Sequence, residues 1–272
     1  MKNKKITTAV IVFFTIILLV VAWFNIGREK VVLIGVANWL LENERYNAAI
    51  VVLRVNAHIY PQSANAHGAL ARAYFYAGNR SESVRSIKRA RDIDPNRLVD
   101  VIFWKKLTLV PEDFEVPTAL ETDILRIRPL KAVDVELDYK AVMSSVEHLK
   151  GVLGDDWPDG DMTIEEDLEA LELQERQFAR REHFVYTVMN LDETECLGCI
   201  YIRPSRLDEF DAEVVMWVTQ DAFKNGLDDV LLKTVKNWLK SDWPFGTVLF
   251  PGRDMEWKEL FERLGEQDKG LH

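Results

Sequence analysis

Cys196 and Cys199 are the first residues in this chain whose chemistry depends on spacing. They are its only cysteines and lie in the run ECLGCIYIRP, whose apolar and β-branched residues predict a strand. A redox pair or half of a zinc site needs both sulfurs on one side. Residues three apart on a regular strand point to opposite faces, so the pair reads as two core cysteines, with no metal site and no disulfide framework. None of the five histidines adds a metal-like or triad spacing.

The chain of 272 residues, 48% hydrophobic and 29% charged, has material for two packed cores. Its formal net charge of -10 and pI near 5.1 exclude a surface built to neutralise phosphates, so nucleic acid is not expected as a partner.

Four regions position whatever chemistry there is. Residues 1–29 hold an N-terminal tail and a membrane anchor: Ile6–Ile26 runs 21 residues without a charge, which as a helix spans roughly 30 Å, the thickness of a hydrocarbon core. Trp23 and Phe24 suit the interfacial belt and no small-x-small cleavage site follows, so the expected partner is a lipid bilayer through residues 6–26 and the expected localisation a single-pass membrane protein. Lys2, Lys4 and Lys5 precede the segment while Arg28, Lys30 and Arg45 follow it. That balance leans toward a soluble part facing outside and leaves the side undecided.

Residues 30–108 read as helical repeats with a closing helix. Lys30–Ser63 superposes on Ala64–Arg97 with a shift of 34, matching Ala37 with Ala71, Leu40 with Tyr74, Leu53 with Ile87 and Pro61 with Pro95. Small residues where helices approach and a proline after the second helix are what a helix–turn–helix stack requires. The second copy resembles a tetratricopeptide repeat, with Ala71, Tyr74, Gly78, Ala90 and Pro95 at that family's positions; the first has Glu44 for the turn glycine and Asn56 for the alanine. Leu98–Leu107 would cover the end of the stack. The resemblance implies either a surface for a protein or peptide partner or a spacer. Residues 109–122, with two prolines and several acids, read as a linker.

From residue 123 to 272 strands alternate with helices. DILRIRP alternates as a strand; Val135, Tyr139, Val142, Val146 and Leu149 form one helical stripe; Thr163–Glu166 has the form of a capping box opening an acidic helix. Strands follow at 184–190, 196–203 and 212–219, then a helix at 227–240, a strand near 247–250 and a last helix from Asp254 to Leu264. The order β-α-α-β-β-β-α-β-α gives a mixed sheet between helices.

This order, with the strings LDYKAVMSSVEHL, ECLGCIYIRP, DAEVVMWV and NWLKSDWPF, resembles the GNAT superfamily of N-acetyltransferases over about residues 123–265. The expected fold class is α+β: a GNAT-like mixed sheet flanked by helices, after an all-α repeat segment and one transmembrane helix. The resemblance implies acetyl-CoA as acyl donor, no metal, and transfer to an unidentified amine lying against helices near 134–149 and 163–182. It places the pyrophosphate loop at Phe223, Lys224, Asn225, Gly226, Leu227 and Asp228, an oxyanion donor at the amides of Val218 and Thr219, and a general base at Glu213, with Asp211 as neighbour. A strand carboxylate at a cleft can act as a base at a raised pKa. Three residues depart from the family pattern: Phe223 replaces a Gln or Arg, Asp228 brings a carboxylate toward the phosphates, and Phe261 stands where a proton-donating tyrosine is common. These departures motivate an alternative, a catalytically degenerate fold serving as a repeat-bearing membrane scaffold or interaction module.

Overall fold

The computed structural model describes residues 30–270. The anchor expected at Ile6–Ile26 lies outside the described residues, and among those described no helix is long and apolar enough to cross a membrane. The chain divides into two compact units between Val101 and Ile102.

The first unit is helical: α1 (Lys30–Glu42), α2 (Tyr46–Ile59), α3 (Ala64–Tyr76) and α4 (Arg80–Ile93). Alanines at the contact faces, among them Ala37, Ala49, Ala66 and Ala73, let the helices approach around Leu53. Full burial of such a leucine stabilises by about 2 kcal/mol. The 34-residue shift is visible in the helix ends. After α1, Glu44 N–H bonds to Leu41 O and Arg45 N–H to Leu40 O; after α3, Gly78 N–H bonds to Phe75 O and Asn79 N–H to Tyr74 O. Both turns close with a left-handed residue, Glu44 at φ 56° and Gly78 at φ 77°. A side chain there costs about 1–2 kcal/mol that glycine avoids. Asn56, in the place of the expected alanine, is buried, and neither polar atom of its side chain has a hydrogen-bond partner among the described residues.

The helix α5 (Leu98–Leu107) precedes a six-stranded sheet in the second unit. Its strands stand in chain order: β1 (Leu120–Glu121), β2 (Arg126–Pro129), β3 (Phe184–Met189), β4 (Cys196–Pro204), β5 (Ala212–Val218) and β6 (Val248–Leu249). Neighbours are antiparallel except β5 and β6, which are parallel because a helical crossover joins them. Between β2 and β3 lie α6 (Val135–Met143), α7 (Val146–Leu149) and α8 (Ile164–Ala179). The short α9 (Gln220–Lys224) and the long α10 (Leu227–Asp242) follow β5, and α11 (Trp257–Gly270) follows β6.

Period-two alternation sends the two faces of the sheet into different cores. Val214, Met216 and Val218 join Ile200, Ile202 and α10 residues Val235 and Trp238. Trp217 and Val185 join Val142 of α6 and Leu171 of α8. Every residue of β5 is therefore buried. The capping box forms, with Thr163 N–H to Glu166 Oε2 at 2.8 Å and Glu166 N–H to Thr163 Oγ1 at 3.2 Å. Within residues 109–122, Leu109 and Val110 belong to the buried cluster beneath α10, and Leu120–Glu121 is a strand.

Cys196 and Cys199 are both buried core cysteines, as expected, but one irregularity overturns the expectation that they point to opposite faces. The β3–β4 register shifts between Val188, opposite Gly198, and Met189, opposite Cys196. The extra residue, Leu197, is a β-bulge, and it breaks the alternation that separates the faces of a regular strand. Cys196 and Cys199 consequently both enter the core cluster shared with α6 and α8.

Candidate functional site

The site grows from unequal pairing along β5. Its antiparallel partner β4 accompanies it throughout, from Pro204 opposite Ala212 to Gly198 opposite Val218. On its other edge, β6 pairs only at Ala212–Val248 and Glu213–Leu249. Thr219 N–H bonds to Leu197 O at 2.8 Å, so by antiparallel alternation Trp217 and Val215 also bond toward β4, and the N–H groups of Met216 and Val218 point the other way. There, beyond the end of β6, is a cavity of about 370 Å³ lined by Val215–Val218, His148, Phe223, Asp228, Arg253 and Trp257 among others. A main-chain edge along a cavity offers hydrogen bonds to an extended ligand.

The inner end of the cavity meets the start of α10. Thr219 caps α9, its hydroxyl accepting from Ala222 N–H at 3.3 Å. The amides of Phe223, Asn225 and Gly226 are spent inside the turn, on Thr219 O, Asp221 O and Phe223 O. Gly226, at φ 78°, precedes α10 without a side-chain cap, and a Cβ placed on it would meet nothing within 4 Å. The first-turn amides of α10, from Leu227 to Asp229, are thus the donors left at this end. Their positive dipole end favours an anion. Asp228 lines the cavity, but its carboxylate is gripped by Arg253 through bonds of 2.7 and 2.8 Å. The pair leaves little net charge to repel a diphosphate. Phe223 is half exposed and lies against the His148 ring, 4.6 Å between centroids. The open cradle over Gly226 and the uncapped helix start fit a coenzyme A diphosphate; Lys224, exposed and beside Asp221 at 3.5 Å, completes the loop.

The structure brings Val218, Phe223, Gly226, Leu227 and Asp228 to one end of β5. It separates from them the carboxylates expected to do proton chemistry. Glu213 is fully buried, its Oε1 bonded to Arg203 and its two oxygens 3.0 and 3.1 Å from Arg206 Nε. Two guanidinium groups bond it and no solvent reaches it, so it is built as a structural partner of the two arginines. The Oδ2 of Asp211 accepts from the amides of Gly246 and Thr247 at 2.7 and 2.9 Å and fixes the loop that starts β6. The Thr219 amide is taken by Leu197 O, whereas the amides of Met216 and Val218 point away from β4. Phe261 stacks on Trp257 at 5.9 Å and has no proton to give. Sequence reasoning missed Arg203 and Arg206, although an arginine directly opposite Glu213 in the register carries a signal. It also missed His148 and Arg253, which reach the cavity from distant segments and leave none.

Ionisable groups elsewhere are also perturbed. Under the β4 bulge, burial pushes the Asp138 carboxyl up to about 6, and burial together with the Asp138 charge pushes Asp167 up to about 7. Bonding to Cys196, then burial, raises the Cys199 thiol. Burial, and then Arg203 and Lys106, bring the His183 imidazole down to about 4.

No family model and no curated protein matches the chain. Solved structures of acetyltransferases are similar to its C-terminal half. The ribosomal-protein-S5-alanine acetyltransferase from Vibrio fischeri is 14% identical, with 55% of this chain and 82% of that one covered and a TM-score of 0.41. An acetyltransferase from Agrobacterium tumefaciens is 16% identical, with 57% and 86% covered and a TM-score of 0.38. The microcin C7 self-immunity acetyltransferase, solved with acetyl-CoA and AMP, is 12% identical, with 49% and 71% covered and a TM-score of 0.37.

Proposed function

We propose that the C-terminal unit binds an acyl-CoA along the open edge of β5 and transfers the acyl group to an amine. The observation that carries this reading is the end of β6 after two paired residues, which leaves the Met216 and Val218 amides facing a cavity that terminates at an uncapped helix start. Acetyl-CoA supplies the activated acyl group. The Met216 and Val218 amides bind its extended arm and steady charge on the acyl oxygen, and the first turn of α10 holds its diphosphate. His148, the imidazole on the cavity wall, takes the amine proton, a role Glu213 is too deeply paired to fill. Calorimetric titration of the purified protein with acetyl-CoA is expected to give saturable binding in the micromolar range; no heat up to millimolar ligand retires the reading.

A second reading has its own support. The Asp228–Arg253 pair and the doubly bonded Glu213 are structural ion pairs at positions where the resemblance implies function, as expected of a fold kept for binding. In that version acetyl-CoA binds without turnover, and the repeat-like helices recruit a protein or peptide. Acyl transfer to any amine by the wild-type chain, lost in His148→Ala, eliminates it.

Residues 6–26 would hold either version to a bilayer. Use of acetyl-CoA calls for a cytoplasmic C-terminal unit, and a C-terminal reporter active on one side only decides between that and the outside orientation the lysines favour.

A further inference from the structure

The β4 bulge gathers a second set of reactive groups, apart from the cavity beside α10. Cys196 Sγ lies 3.8 Å and Cys199 Sγ 3.4 Å from Asp138 Oδ1, and the three candidate ligand atoms all fall within 4.8 Å of one another. Each residue is at least nine-tenths buried. We propose that Cys196, Cys199 and Asp138 form a binding site for one thiophilic divalent cation of the Zn²⁺ type, tying β4 to α6.

The donor set and spacing carry the argument. Sulfur and oxygen ligands at ordinary zinc distances and tetrahedral angles stand roughly 3.5 Å apart, and the two sulfur–oxygen distances bracket that separation. Two thiolates select Zn²⁺ over Mg²⁺ or Ca²⁺, which prefer all-oxygen shells. The backbone is committed to the arrangement: without Leu197 as the extra residue the sulfurs would lie on opposite faces, and a Cβ on Gly198, between them, would come within 2.0 Å of Trp217 O. A cavity of about 70 Å³, lined by Cys196, Lys140, Ser145 and Thr219 among others, reaches the cluster at Cys196. It provides an entry route and a place for a water as fourth ligand. Binding displaces the two thiol protons to solvent by that route.

The test uses the reduced, chelator-stripped full chain titrated with Co²⁺. One equivalent is expected to bind with a thiolate-to-cobalt charge-transfer band in the near ultraviolet, displaced by Zn²⁺. Cys196→Ser and Cys199→Ser should each reduce that band, and Asp138→Asn should weaken affinity by at least tenfold. Because a serine at a buried position can impair folding, the wild-type chain provides a separate measurement: stoichiometric Zn²⁺ should raise its thermal midpoint. Binding without the charge-transfer band, a band that survives in the double serine variant, or neither band nor midpoint shift in the wild type overturns the proposal.

Discussion

At its start β5 is hydrogen-bonded to strands on both edges, and the one carboxylate within it, Glu213, is enclosed by Arg203 and Arg206. Two to five residues later the same strand keeps β4 but has lost β6, and its outer edge faces a cavity. Glu213 apart, the residues are apolar at both ends, and all are buried; what differs is the neighbour. A strand can thus be closed over one stretch and face a cavity over the next while its other side chains stay apolar. A charge on the closed stretch serves the fold, however well its position matches a catalytic pattern.

Four experiments probe that contrast, beginning with the largest expected effect. Glu213→Ala should lower unfolding free energy by about 3 kcal/mol, because it removes the charge-assisted hydrogen bonds to Arg203 and Arg206 and leaves a buried space, while the arginines, each about a third exposed, turn partly to water; denaturant titration measures it. If stability holds while acyl transfer disappears, the closed end is the chemical one and the contrast is inverted. The same end should respond to acid. His183, one residue before β3 and beside Arg203, titrates near 4 when folded and at about 6.5 when unfolded. The unfolded chain therefore takes up the proton first. The contribution of this histidine is complete above about pH 6.5 and is lost as pH falls toward 4, about 3 kcal/mol in all. Comparing wild type with His183→Gln by unfolding at pH 7 and pH 4 isolates it.

At the open end, Gly226→Val should cost about 1–2 kcal/mol of stability, from the left-handed backbone it would impose on a branched side chain. It should also abolish acetyl-CoA binding, by filling the space over the turn. Unchanged affinity would move the diphosphate elsewhere. Asp228→Asn should have the smallest effect on the fold. By releasing Arg253 toward the cavity it should tighten acetyl-CoA binding about tenfold, roughly 1.4 kcal/mol. A calorimetric titration showing weaker binding would mean that the ion pair itself shapes the cradle.

Much of the architecture is legible from local pattern. The strands at 184–190, 196–203 and 212–219, the helix from Leu227 and the Thr163 capping box all appear at the expected places, because apolar period and end-capping are properties of contiguous residues. The 34-residue shift likewise reappears in the paired helix ends at Glu44 and Gly78. The candidate site was legible in part. Gly226 and the outward amide of Val218 lie toward the open end of β5, while Glu213, Asp211 and Thr219 are occupied by partners that single positions do not reveal.

The sequence by itself determined the order of elements, the faces that become core, and the glycine that opens the turn before α10. Only the tertiary structure decided where β6 ends against β5, which arginines enclose Glu213, and that one bulged residue places Cys196 and Cys199 on the same side. The physical reason is range. Periodicity and capping act over one or two turns of chain, whereas register, ion pairing and ligand geometry depend on segments tens of residues apart meeting at hydrogen-bond distance.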